Sequence, residues 1–190
     1  MRAQNKKSNQ GFWKTLKYAL LLNSSLYENA HNTPKTRQLA LSIVIFSALS
    51  HALGSSVILI INLVPLALAL ALLLLDLLSI IAGYYFWVFT IWKIGQWLKP
   101  IDPTFGDLLN PIGFAYAPQV LNFLTLIPLL GRPIELILAV WSLLAVIIAV
   151  RQGLDISTNQ AALICLVGWP LIQIAIGVLQ VTEQHIIRFL

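Results

Sequence analysis

Residues 39–98 read LALSIVIFSALSHALGSSVILIINLVPLALALALLLLDLLSIIAGYYFWVFTIWKIGQWL, and this stretch decides the fold. Its only charged residues are Asp76 and Lys93. One membrane crossing takes about 20 apolar residues, so the stretch holds two helices and a turn. Asn62 and Pro65 are the only residues in its middle that favour a break, which predicts spans over 39–61 and 64–92. Both cross a hydrocarbon core of about 30 Å at about 1.5 Å per residue. Tyr84, Tyr85, Trp87, Trp92 and Trp97 crowd the end of the second, the amphipathic rings expected at a headgroup boundary.

The same pattern recurs C-terminally. Residues 99–110 carry Pro100, Asp102, Pro103, Gly106 and Asp107, a composition of turns. Apolar runs over 111–130, 134–150 and 161–181 predict three more spans. Gly131-Arg132-Pro133 forms a tight hairpin between two of them, residues 151–160 a polar link, and 182–190 a short C-terminal tail. The fold class expected is therefore all-α, a polytopic bundle of five transmembrane helices. The composition agrees, with 58% hydrophobic and 10% charged residues among 190, which excludes a water-soluble globule, a coiled coil and a disordered chain. The single Cys165 excludes an intrachain disulfide.

N-terminal to the bundle, residues 1–38 form a basic leader. Phe12, Trp13, Leu16, Ala19, Leu20, Leu26 and Tyr27 fall on one helical face, with Lys14 and Lys17 pointing away. That is the pattern of an amphipathic helix lying in the headgroup layer, with Lys6, Lys7, Lys14 and Lys17 against anionic lipid. Pro34 interrupts the polar linker that follows. Seven of the twelve Lys and Arg residues precede residue 38, and ten lie on the side shared by the leader and the two polar connectors. The asymmetry places the N-terminus in the cytoplasm and the C-terminus on the opposite side, and it reads as topology rather than as a nucleic-acid surface.

Ionisable groups at membrane depth are the first candidates for function. His51 stands twelve residues before Leu63 and Asp76 thirteen after it, so an antiparallel hairpin brings them to equal depth, about 18–20 Å from the turn. Each lies on a small or polar stripe: Ser47, His51, Gly54 and Ser55 on one helix, Asp76, Ser79 and Gly83 on the other. A hydrogen bond or ion pair between His51 and Asp76 is expected. Its structural use, fixing helix packing, outweighs a proton relay. Gln119, Asn122 and Gln173 are further polar groups at depth, with interhelical hydrogen bonding as their default role. Glu135, Ala139, Ser142, Ala145 and Ala149 make a close-packing face, and Glu135 suits the first turn of its helix beside Arg132. The sequence contains no HExxH, cysteine pair, GxSxG or GxxxxGK[ST], so neither a metal, a cofactor nor an enzymatic reaction is expected.

The segments FGDLL (105–109), GFAYAP (113–118), IPLLG (127–131), Trp141, VRQGL (150–154) and STNQAA (157–162) resemble the Yip family of Ypt/Rab-interacting five-span membrane proteins in its compact prokaryote-like form. Tyr116, Pro118, Trp141 and Arg151 carry most of the likeness, which covers residues 27–180. It implies a cytoplasmic N-terminus, five helices and no catalytic centre, and the short basic leader and compact connectors resemble those of a bacterial or organellar relative. The acidic, aromatic N-terminal region of the eukaryotic members is absent, which counts against small-GTPase binding. The function expected is that of a non-catalytic membrane scaffold or organising adaptor with the lipid bilayer and a membrane-protein partner. The alternative is a small permease or channel using His51, Asp76, Gln119, Asn122 and Gln173 as a polar pathway. An odd number of spans predicts that reporter tags fused to the two termini read out from opposite compartments; two tags in one compartment contradict the topology.

Overall fold

The computed structural model describes residues 11–98, 104–127 and 129–168. Their regular secondary structure is all helical: α1 (Phe12–Leu20), α2 (Ser24–Glu28), α3 (Pro34–Ile61), α4 (Leu66–Leu98), α5 (Phe105–Phe114), a 3₁₀ segment (Ala117–Leu126), α6 (Gly131–Gly153) and α7 (Thr158–Gly168). Three of them, α3, α4 and α6, are long and apolar enough to cross a membrane. Lys6, Lys7 and Gln173, together with most of the expected fifth span and the C-terminal tail, lie outside the described residues.

Local chemistry sets the boundaries. Thr33 precedes Pro34, and its Oγ1 accepts from the Thr36 amide at 3.2 Å, so Pro34 opens α3 at the one place where its missing N–H removes nothing. The helix thus starts five residues before the expected span. It ends when the Val64 amide reaches back to the Leu59 carbonyl at 3.1 Å, with Leu63 left-handed at φ 53°. The same closure ends α1 at Leu22. Left-handed leucine costs about 1 kcal/mol where glycine would cost little. α5 is opened by a capping box in which Asp107 Oδ2 accepts from the Thr104 amide at 3.2 Å. Ser157 and Gln160 open α7 in the same way.

Four expectations need correction. The connector over 99–110 is not loop throughout: its last six residues belong to α5, and Leu108, Leu109 and Asn110 are buried. The run 111–130 is not one helix. Pro111 sits inside α5, the chain turns at Ala115 and Tyr116, and ten residues of 3₁₀ helix begin at Ala117, with Pro118 second. Two prolines seven residues apart remove amides that a continuous α-ladder needs. Gly131-Arg132-Pro133 is the first turn of α6 and not a hairpin of its own. Finally, the leader face is split at Leu21–Asn23. Thr15, Leu16 and Ala19 turn inward while Trp13 is 75% exposed.

The 3₁₀ segment packs between α3 and α6, and α4 packs on α3 and α5. The buried core gathers at one end of the bundle, from Ala40, Ile43 and Val44 of α3, Val88 and Ile91 of α4, most of α5, and Ala149 and Val150 of α6. Tyr84 and Trp87, expected at a headgroup boundary, are part of this core. Tyr84 donates its hydroxyl to the Leu109 carbonyl at 2.7 Å. Toward the other end the surface is apolar, with Leu49, Leu53, Ile60, Leu66, Leu70, Leu74, Ile137 and Val140 all exposed. No water-soluble monomer presents so large an apolar belt.

Helices α3 and α5 touch at Gly113, where an added Cβ would stand 2.9 Å from Ala40 Cβ, whereas nothing lies within 4 Å of one at Gly83. Gly113→Leu is therefore expected to lower unfolding stability in mild detergent by about 2–3 kcal/mol. Gly83→Ala is expected to leave it unchanged or raise it by up to about 1 kcal/mol. Equal tolerance of both would refute the close approach.

Candidate functional site: a polar layer across the bundle

His51 and Asp76 meet. Nδ1 of His51 lies 3.0 Å from Asp76 Oδ2, and Ser55 Oγ, one helical turn on, donates to the same oxygen at 3.1 Å. The antiparallel register explains the contact, since α3 ends at Ile61 and α4 begins at Leu66, ten residues from each partner. The His51 side chain remains 49% exposed and that of Asp76 19%.

A second set of polar groups lies on the other flank of α3. Ser50 Oγ accepts from the Phe123 amide at 2.8 Å. Asn122 Nδ2 donates to Gln119 Oε1 at 2.7 Å, and Gln119 Nε2 donates to Ser142 Oγ of α6 at 2.7 Å. Thr125 Oγ1 donates to the Asn122 carbonyl at 2.7 Å. Ser50 and His51 are adjacent in sequence, so the two sets form one layer that passes from α6 through the 3₁₀ segment and α3 to α4. The sequence nominated His51, Asp76, Gln119 and Asn122, and the structure brings each to a partner. It did not nominate Ser50, because one serine among many small residues carries no periodic signal. Among the described residues no group of three or more metal-ligating side chains occurs.

The residues that carried the family likeness divide among three places. Tyr116 stacks edge-on to Tyr84 with ring centres 5.7 Å apart, and Pro118 is buried at the start of the 3₁₀ segment. Arg151 Nη1 reaches Thr158 Oγ1 at 3.4 Å, across the turn from α6 to α7. Trp141 has a different partner: its Nε1 donates to the Leu20 carbonyl at 3.0 Å. Tyr27 donates its hydroxyl to the neighbouring Ala19 carbonyl at 3.3 Å, and burial pushes its phenol above the ordinary range. Two side chains from outside α1 thus satisfy carbonyls at its C-terminus. Phe12 at the other end of α1 stacks on Phe46 of α3 at 5.0 Å. Elsewhere Asn110, fully buried, donates to the His31 carbonyl at 2.9 Å and pins the linker ahead of α3. Lys14 and Lys17, the leader cations expected against headgroups, are both exposed. Arg132 and Glu135 pair at 3.1 Å on the first turn of α6, both exposed.

No family model matches the chain, and no curated protein or solved structure is similar to it.

The latch on α1 yields a test. Trp141→Phe keeps the ring and removes the donor, which strips about 1–1.5 kcal/mol from the attachment of α1. Cleavage by trypsin after Lys14 and Lys17 should then accelerate by roughly fivefold to tenfold if local opening limits it. An unchanged rate would mean that α1 is not held through this bond.

Proposed function

We propose that this chain is a non-catalytic, multi-pass integral membrane protein of the Yip type, a scaffold or organising adaptor that crosses the bilayer five times from a cytoplasmic N-terminus. The observation that carries this reading is the way polar groups at depth are used. His51, Asp76, Gln119 and Asn122 each bond another group of the chain, so the layer ties four elements together. Hydrogen bonds consumed between helices fix a packing arrangement, which is what a scaffold needs.

The amphipathic leader fits the same reading. α1 touches α3 at Phe46 and α6 at Trp141, each twelve residues from the near end of its helix at Pro34 and Gly153. It therefore bridges the bundle crosswise, above the level at which Leu49 and Leu53 turn outward. Trp13, Lys14 and Lys17 face away from the protein, as a headgroup-bound helix requires. In this arrangement α1, α2, α5 and the near ends of α3, α4 and α6 make a cytoplasmic cap, the surface offered to a membrane-protein partner. The basic leader, with Lys6 and Lys7, contacts anionic lipid.

The half-exposed ring of His51 favours a second reading, a small permease in which the pair hands a proton along a polar path. Asp76→Asn separates the two. As a packing residue, Asp76 gives a variant that loses about 1–3 kcal/mol of stability in mild detergent, with proteoliposomes as impermeable as before. Loss of pH-driven solute flux in a variant of undiminished stability would replace the scaffold with the permease.

A further inference from the structure

The two hairpins of the bundle end at different depths. The Phe123 amide is level with Ser50, and a Cβ on Gly54 would lie 3.8 Å from Thr125 Oγ1. A Cβ on Gly131 would lie 2.6 Å from the Thr125 carbonyl, so the first turn of α6 stands beside the end of the 3₁₀ segment, at the level of Gly54. α3 runs on from Gly54 to Ile61, about 10 Å at the helical rise, before Leu63 turns the chain back. α6 gives the same offset. Ser142 is tied to Gln119, four residues above Phe123 in a segment that rises about 2 Å per residue, and only eleven residues of α6 lie below it.

We propose that the 3₁₀–α6 hairpin stops roughly 10 Å short of the α3–α4 hairpin, and that the far leaflet is drawn inward to meet it. The proposal rests on the membrane reading above. Its physical basis is the Arg132–Glu135 pair, which is exposed on the first turn of α6 and hence at the level of the shorter hairpin. Leaving an exposed ion pair in hydrocarbon is expensive, whereas thinning a bilayer costs little for each ångström. Lipid headgroups and water therefore follow the pair inward, and the loop residue Leu129, 99% exposed, meets the displaced surface. The α3–α4 tip, with Leu63 88% exposed, stays at the undisturbed boundary. The occupant of the step beneath α6 is phospholipid of the far leaflet, and the protein acts there as a local thinner of the membrane.

Spin labels placed at Leu63→Cys, Leu74→Cys and Leu129→Cys in a Cys165→Ala background test this. Leu74 is the ruler, because it faces outward on α4 at nearly the level of Gly54. Collision with a water-soluble nickel chelate is measured in dimyristoleoyl- and dierucoyl-phosphatidylcholine vesicles. In the thin bilayer positions 63 and 129 should both meet the chelate while 74 does not. In the thick bilayer 63 should keep its accessibility, and 129 should lose part of it while staying above the value of 74, because the ion pair holds the leaflet in. Position 129 falling to the value of 74 there would leave the offset standing and overturn the drawing-in of the leaflet. Positions 63 and 129 changing together, with 74 submerged, would overturn the offset and leave the membrane reading intact. Position 74 as accessible as 63 in both bilayers would overturn the membrane reading itself. With Arg132→Leu and Glu135→Leu combined, 129 should be submerged already in the thin bilayer, while unchanged profiles at 63 and 74 report an intact fold. If 129 stays accessible there, the ion pair does not draw the leaflet in.

Discussion

Backbone amides that no regular ladder satisfies must find partners inside the protein, and at Ala117–Leu126 this constraint organises the bundle. A 3₁₀ run of ten residues is long for that geometry, and its hydrogen bonds are poorer than those of an α-helix. Side chains make up the difference. Ser50 takes the Phe123 amide, Thr125 binds the Asn122 carbonyl, and Gln119 and Asn122 extend the network to Ser142. The segment is thus held from α3 on one side and α6 on the other. α3 carries the constraint onward, since the residue after Ser50 is His51, whose ring is tied to Asp76 of α4.

The capped end is built on different physics. There the chain packs small residues to let backbones approach, as at Gly113 against Ala40, and buries Tyr84, Trp87 and Phe114 around them. Short helices that would be unstable alone are held by bonds from distant residues. Trp141 and Tyr27 finish the end of α1, and Asn110 ties down the linker into α3. Charge follows the same division, because Lys14, Lys17, Lys35, Arg37, Lys93 and Arg151 all stand on elements or ends that belong to the cap. Arg132 and Glu135 at the far end neutralise each other.

Much of this was legible in the sequence, for reasons that differ from place to place. The turn at Asn62–Pro65 could be read because polar and helix-breaking residues are rare in so apolar a stretch. The juxtaposition of His51 and Asp76 followed from counting along two antiparallel helices of equal rise. The 3₁₀ segment could not be read, because hydropathy reports how apolar a run is and says nothing about how its amides are bonded. Pro111 and Pro118 were visible, but proline is tolerated in membrane helices and so did not by itself forbid a continuous span. The burial of Tyr84 and Trp87 could not be read, because aromatic residues near a helix end suit a headgroup boundary and a buried core equally well. Trp141 was singled out only for the family likeness, and its bond to α1 could not be read, since the partner is a backbone carbonyl 121 residues away.

The 3₁₀ geometry and the unequal hairpins are linked. A 3₁₀ helix rises further per residue than an α-helix, yet the ten residues of this segment span only about 20 Å, less than the hydrocarbon thickness. Once Gln119 is fixed to Ser142 and Phe123 to Ser50, the level at which the segment ends is set by bonds to its neighbours. α6 then begins at Gly131, with its ion pair on the first turn. Lengthening the hairpin would require new register along α3 and α6 together, which the polar layer opposes. The interactions that fix the packing of the bundle are the same ones that hold the Arg132–Glu135 pair above the tip of α3 and α4. A rigid frame of unequal depth transmits its shape to the lipid, because a bilayer deforms more readily than a hydrogen-bonded helix packing breaks.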